Sequence, residues 1–158
     1  MTNEKEFKVT AIKDGTVIDH VPSKQLFKVI EILGLENYAN QITFGMNLES
    51  KKLGNKAIIK IADLFFEDDD INRIALIAPQ AKLNIIRNYK VVEKRSVTIP
   101  EIITGIAKCV NPHCITNHQP VETRFLAQSS DNGLLLTCCY CEKTTDSQTL
   151  RIITKEES

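Results

Sequence analysis

Five cysteines fall between Cys109 and Cys141, and none precedes them. Two bracket the segment Cys109-Val110-Asn111-Pro112-His113-Cys114, a C-x4-C knuckle. The string Cys138-Cys139-Tyr140-Cys141 is a C-x2-C knuckle if Cys138 and Cys141 are the ligands, and 23 residues separate the two pairs. Two short thiolate loops joined by a strand-forming spacer suit a tetrahedral Zn2+ ion, each loop holding two sulfurs on one side of the metal. A closed shell of four thiolates leaves no position for water or substrate. One structural zinc is therefore expected, contributing on the order of 10 kcal/mol to folding. The competing reading is ordinary buried or redox thiols. Cys139 could replace Cys138 as the partner of Cys141, but C-x-C makes a poorer zinc loop, so Cys139 is expected to be a non-ligand. His113 and His118 are alternative imidazole donors; beside four well-spaced cysteines they read as surface residues.

A second group of polar residues, Asp19, His20, Lys56, Lys60, Asn84, Tyr89 and Lys94, lies on or beside strand-like segments. Lys60 interrupts Ala57-Ile58-Ile59-Lys60-Ile61-Ala62, where an ammonium must either snorkel to an edge or meet an anion. His20 and Lys94 could join it around phosphates, Asp19 could hold a sugar hydroxyl, and Asn84 could read a base edge. An ordinary sheet with a solvated outer face accounts for the same residue types. No Gly-rich phosphate loop, nucleophile–base pair or carboxylate dyad stands out.

Periodicity supplies the elements that must position these groups. Val9–Ile12 and Thr16–Val21 are β-favouring runs around the turn signal Asp14-Gly15. Ser23 reads as a helix N-cap, followed by Leu26, Val29, Ile30 and Leu33 at helical spacing and closed by Gly34. Ile42–Leu48 alternates with period two, and Lys56–Leu64 is an isoleucine-rich strand. The acidic run Glu67–Asp70 suits the positive end of a second helix, with Ile71, Ile74, Ala75 and Ala78 on one face and Pro79 ending it. Lys82–Lys94 reads as a final strand. Strand, helix, strand, strand, helix, strand is the split β-α-β order: an α+β, ferredoxin-like antiparallel sheet with two helices on one face. The N-terminal hairpin would make the sheet five-stranded. Ser96–Pro100 breaks the pattern, which divides the chain into residues 1–98 and 99–158. The second part has β-like runs at Arg124–Gln128, Leu134–Thr137 and Thr149–Thr154. It reads as a small all-β, zinc-ribbon-like domain that needs its metal as a staple.

Composition narrows the classes. The chain has 158 residues, 42% hydrophobic and 25% charged, as a globular protein does. Twenty Lys and Arg balance twenty Asp and Glu, without the basic excess of a generic nucleic-acid binder. No membrane span or signal peptide is expected, so the cytoplasm is the expected compartment, and clustered cysteines there point to metal rather than disulfides.

The string Ala11-Ile12-Lys13-Asp14-Gly15-Thr16-Val17-Ile18-Asp19-His20-Val21-Pro22 resembles the N-terminal motif of the aspartate carbamoyltransferase regulatory chain family. Asn47-Leu48, Lys60-Ile61, Ala78-Pro79-Gln80-Ala81, Asn88-Tyr89 and the cysteine pattern ending in Cys141-Glu142-Lys143 extend the likeness over Val9–Ile153. The resemblance implies a non-catalytic subunit tuning carbamoyl transfer to aspartate in pyrimidine synthesis. Its first domain would bind nucleoside triphosphates, with CTP and UTP inhibiting and ATP activating, accompanied by Mg2+. Carried over by position, Ala11, Ile12, Val17, Asp19, His20, Lys60, Asn84, Ile86, Tyr89, Val91 and Lys94 match nucleotide-site residues. Asp19 and Lys60 would contact ribose and base, and His20 and Lys94 the phosphates. Cys109, Cys114, Cys138 and Cys141 match the zinc ligands, and Asn111, Tyr140, Glu142 and Lys143 the contacts to the catalytic chain. The implied assembly is a dodecamer of two catalytic trimers bridged by three regulatory dimers. Thr10 stands where the family pattern is acidic, Glu6 where it has a lysine near a second nucleotide or metal site, and His113 where it has asparagine. These departures bear on which nucleotide wins and on UTP synergy. The alternative class, a nucleic-acid-binding zinc ribbon, would need a basic face with stacking aromatics; the zinc part has only Phe125 and Tyr140.

Overall fold

The computed structural model describes residues 11–131 and 133–155. Val9, Thr10 and Glu6 lie outside them. The N-terminal part runs β1 (Gly15–Pro22), α1 (Leu26–Ile32), β2 (Ile42–Ser50), β3 (Gly54–Ala62), α2 (Asp68–Ile77), β4 (Lys82–Arg87) and β5 (Lys90–Ser96). These strands form one antiparallel sheet in the order β2-β3-β1-β4-β5, the ferredoxin-like order extended by one strand. Alternation assigns the two faces. Ile18, Ile59 and Leu83 are cross-strand neighbours and essentially inaccessible, packed in the core with Leu26, Val29 and Ile74 from the helices.

The fifth strand has a different origin from the expected one. Ala11 and Ile12 form no strand. Instead the Lys82–Lys94 segment folds as the β4–β5 hairpin around Asn88-Tyr89, whose φ angles are 52° and 66°. Two left-handed central residues give the turn whose twist matches the flanking strands. The segment that precedes β1 braces this hairpin: the Asn88 N–H donates to Asp14 Oδ1 (3.0 Å) and the Tyr89 N–H to Lys13 O (2.8 Å).

Ser23 is not an N-cap. It opens a short 3-10 turn, and its hydroxyl accepts the Asn47 N–H at 2.9 Å. That bond ties a β-bulge in β2, where Asn47 has φ 60°, to the chain just after a second bulge in β1, where His20 has φ 59°. Helix α2 starts as its acidic run predicts, with Glu67 and Asp70 in a reciprocal capping box.

The C-terminal part is all-β. Strands β6 (Ile102–Thr104), β8 (Arg124–Ser130), β9 (Gly133–Cys138) and β10 (Thr144–Asp146) form a four-stranded sheet in the order β10-β9-β8-β6. Strand β7 (Ala107–Lys108) pairs with β11 (Arg151–Ile152). Phe125, Ile103, Ile106 and Leu136 fill its centre, and they belong to one buried apolar cluster that continues into the N-terminal part. No helix among the described residues is long and apolar enough to cross a membrane.

Candidate functional site

Four elements deliver four sulfurs to one point. Cys109 follows β7 directly, Cys114 ends the first loop, Cys138 is the last residue of β9, and Cys141 lies in the turn before β10. All four Sγ atoms lie within 4.8 Å of one another. The Cys109–Cys141 and Cys114–Cys138 separations are 3.6 and 3.8 Å. A tetrahedral ion with Zn–S bonds of about 2.3 Å requires sulfur–sulfur edges of about 3.8 Å, so the donor set fits zinc in number, chemistry and spacing. Cys139 is exposed and outside this group, its N–H bonded to Arg124 O across the sheet. His113 and His118 are also exposed, and a His118 ring nitrogen is engaged with Pro112 O at 2.6 Å.

Local hydrogen bonds shape both loops. Glu142, at φ 66°, lets its N–H reach Cys138 O (2.9 Å), while the Cys138 N–H donates to Lys143 O (3.0 Å). In the first loop the Asn111 side chain accepts the His113 N–H (3.0 Å), and Asn111 O accepts the Cys114 N–H (3.0 Å). Asn117 donates to both Cys109 O (2.9 Å) and Asn111 O (2.8 Å), stitching the loop closed. Nothing in the sequence distinguishes Asn117 from the polar residues around it.

The thiols show why a cation belongs here. Burial pushes Cys109 up to about 12, against a lowering hydrogen bond from the Asn111 backbone. Burial raises Cys138 as well. At Cys141 burial also acts upward, but the Lys143 N–H and the Asn111 side chain outweigh it and bring the thiol down to about 7. Cys109 and Cys138, raised by burial, hold their protons unless a metal replaces them. Asn111 thus serves the metal loop as well as the surface. Around that end of the molecule Tyr140 is 47% exposed, and Glu142 and Lys143 are exposed.

The second group of residues assembles on the sheet face opposite the helices. Lys60, Val17, Asn84 and Lys94 are direct cross-strand partners in β3, β1, β4 and β5, and so form one row. Ala62, Gly15, Ile86 and Val91 form the next row. Between and beside these rows Ile12, Val17 and Ile86 pack into a small apolar floor with Ile58 and Ala62. Tyr89 and Val91 stand exposed at the hairpin end of that floor, and Ala11 is exposed at its margin.

The bulge in β1 redirects Asp19 and His20, which together oppose one residue of β3. Asp19 Oδ1 holds Lys56 Nζ at 3.0 Å and the His20 N–H at 2.6 Å. His20 lines a cleft of about 180 Å³ with Lys52 and Lys82, and its shielded Nδ1 lies 3.5 Å from Asp19 Oδ2. Lys60 and Lys94 do not line that cleft. The cations are therefore divided between a row on the sheet and a cleft at the bulge, and Lys52 and Lys82 join the candidates only through the fold.

Comparison with known proteins places the two halves in two matched families. Residues 7–98 match the aspartate carbamoyltransferase regulatory chain allosteric domain, and residues 101–151 match the metal binding domain of the same chain. The whole chain is similar to curated regulatory chains of aspartate carbamoyltransferase. That of Bacteroides fragilis is 52% identical over 151 residues, covering 96% of this chain and 98% of the relative. That of Bacteroides thetaiotaomicron is 52% identical with the same coverage. The archaeal chain of Pyrococcus horikoshii is 52% identical over 145 residues, covering 90% and 95%.

Proposed function

Since the chain belongs to the aspartate carbamoyltransferase regulatory chain family, we propose that its sheet face senses nucleoside triphosphates and that its metal-binding part docks it on the catalytic chain. The subunit itself is non-catalytic, and its metal is structural. The observation that carries the nucleotide reading is the row Lys60–Val17–Asn84–Lys94 beside the apolar floor of Ile12, Val17 and Ile86. A base and ribose would lie on that floor, with Lys60 and Asn84 as polar partners and Tyr89 and Val91 as a rim. Lys94 and His20 would take phosphates, with Lys52 and Lys82 beside His20, and Asp19 would serve the ribose. Mg2+ would accompany the triphosphate.

In this reading CTP and UTP inhibit and ATP activates, all competing for one face and differing in base size. An effector shifts the assembly only by binding its two quaternary states unequally, a coupling of about 1–3 kcal/mol. Asn111, Tyr140, Glu142 and Lys143 form the contact with the catalytic chain, beside the metal that shapes their loops. Three regulatory dimers would join two catalytic trimers into a dodecamer in the cytoplasm. Edge strand β2 supports the regulatory dimer: its Phe44 is exposed and meets exposed Phe27 edge-to-face at 6.0 Å. The boundary between the two functions falls near residue 98.

The test is a carbamoyltransferase assay of the catalytic chain with and without this subunit, across ATP, CTP and UTP. Nucleotide responses should require the subunit. Lys60→Ala should weaken them while leaving the assembly intact. Undiminished CTP and ATP responses in that variant would remove the sheet face from the account.

A further inference from the structure

Residues Ile153–Lys155 follow β11 in the metal-binding part, yet reach both helices of the N-terminal part. Arg73 Nε of α2 donates to Ile153 O at 2.9 Å. The Lys155 N–H donates to Ile32 O at the end of α1, also at 2.9 Å. Lys155 Nζ lies 3.3 Å from Asp70 Oδ2, and Asp70 Oδ1 lies 3.5 Å from Arg73 Nη1. The Asp70 and Arg73 side chains are each only 4% exposed.

A buried ion pair is a poor source of stability, because desolvation offsets much of the attraction. What it specifies is geometry, and here each member also bonds to the other part of the chain, Arg73 to Ile153 and Asp70 to Lys155. Ile153 is held from both sides: its carbonyl by Arg73, and its N–H by Ile106 O at 2.8 Å. Ile106 leads into β7, and Cys109, the first metal ligand, follows β7 immediately. On the other side, Asp70 lies in the first turn of α2 and accepts the Glu67 N–H at 3.2 Å. The short link from β3, the strand of Lys60, into α2 is pinned where Thr16 of β1 donates to Leu64 O at 2.6 Å. A displacement of the sheet face therefore has a continuous bonded route through α2 and Ile153 to the metal loop.

We propose that Asp70, Arg73 and the Ile153–Lys155 segment form a clasp that sets the metal-binding part against α1 and α2 and carries nucleotide effects to it. Asp70 and Arg73 are positioning residues for the regulatory response. The proposal rests on the reading above that nucleotides bind the sheet and the metal part docks.

The experiment uses the complex assembled with the catalytic chain, comparing wild type with Arg73→Met and Lys155→Pro. The second variant removes an amide donor and an ammonium without changing any buried side chain. Measured together are zinc content, complex size, CTP and ATP dissociation constants, and the nucleotide-induced change in aspartate affinity. Zinc content, complex size and nucleotide affinity should match wild type. The nucleotide-induced change, roughly fivefold or more for an ordinary allosteric coupling, should collapse toward onefold. Full response in both variants overturns the clasp, as does a response lost only in step with nucleotide binding. If Arg73→Met fails to assemble, full response in Lys155→Pro alone overturns it. A wild-type complex that ignores nucleotides refutes the functional reading itself, so the two failures are told apart.

Discussion

Removing one sulfur from the metal centre should unmake the C-terminal part and with it the docking of the chain. Cys114 is the most informative position. It is 1% exposed, and its Sγ lies 3.8 Å from Cys138 Sγ and 3.2 Å from Thr116 Oγ1. In Cys114→Ser the hydroxyl is a poor zinc ligand with a shorter reach, which leaves three thiolates. The metal contributes on the order of 10 kcal/mol, whereas a core of this size supplies about 3–5 kcal/mol at best. The variant should therefore lack stoichiometric zinc, lose the β signature of the C-terminal part in circular dichroism, and elute apart from the catalytic chain in gel filtration. A chelator acting on the wild type should do the same. Proton release tests the origin of the effect. Cys109, pushed up to about 12, and Cys138, also raised, are protonated at neutral pH without metal. Zinc uptake must expel both protons, so zinc affinity should fall as pH falls, which calorimetry in buffers of different ionisation enthalpy can follow. A metal-free variant that still assembles, or zinc uptake without proton release, would refute this reasoning.

Two further outcomes concern stability. Gly15 has φ 144°, and a Cβ there would sit 2.1 Å from Ile61 O, a fixed acceptor in the β1–β3 ladder. Gly15→Ala should cost about 3 kcal/mol, read as a lowered denaturant midpoint, because a backbone oxygen cannot step aside. Asp146 is held below its ordinary value of 3.8, first by the Thr149 hydroxyl and N–H and then by the Gln148 N–H. Because the folded-state value is depressed, the stability it contributes is present above the ordinary value and is lost as pH falls through the folded one. Asp146→Asn should flatten that acid limb in a pH titration of unfolding.

What could be read from the sequence was what depends on local spacing. The stripe Leu26, Val29, Leu33 and the acidic start of α2 repeat at helical intervals, and both helices form there. The cysteine pairs announced a four-sulfur centre because each knuckle is nearly complete within a few residues. The β4–β5 hairpin is not legible in the sequence because Asn88-Tyr89 lacks the glycine that marks such turns, and a tyrosine at φ 66° is held there by the distant Lys13 O. Ser23 has the residue type of an N-cap, but its hydroxyl serves a distant bulge at Asn47 instead of its own helix. Strands β6, β7 and β10 are two or three residues long, too short for period two to register. The contact of Arg73 with Ile153 joins segments with no shared local pattern.

The rows of the five-stranded sheet have a consequence for errors in strand pairing. Lys60, Val17, Asn84 and Lys94 alternate, residue by residue, with Ile59, Ile18 and Leu83 beneath them. A slip of one position in β1 would turn Ile18 outward and bury Val17 and Asp19 in its place. A one-residue slip cannot keep the interior while rearranging the polar row, because both are written in the same alternation. Molecules slipped in this way should therefore be unstable and not persist as folded subunits with an altered outer face.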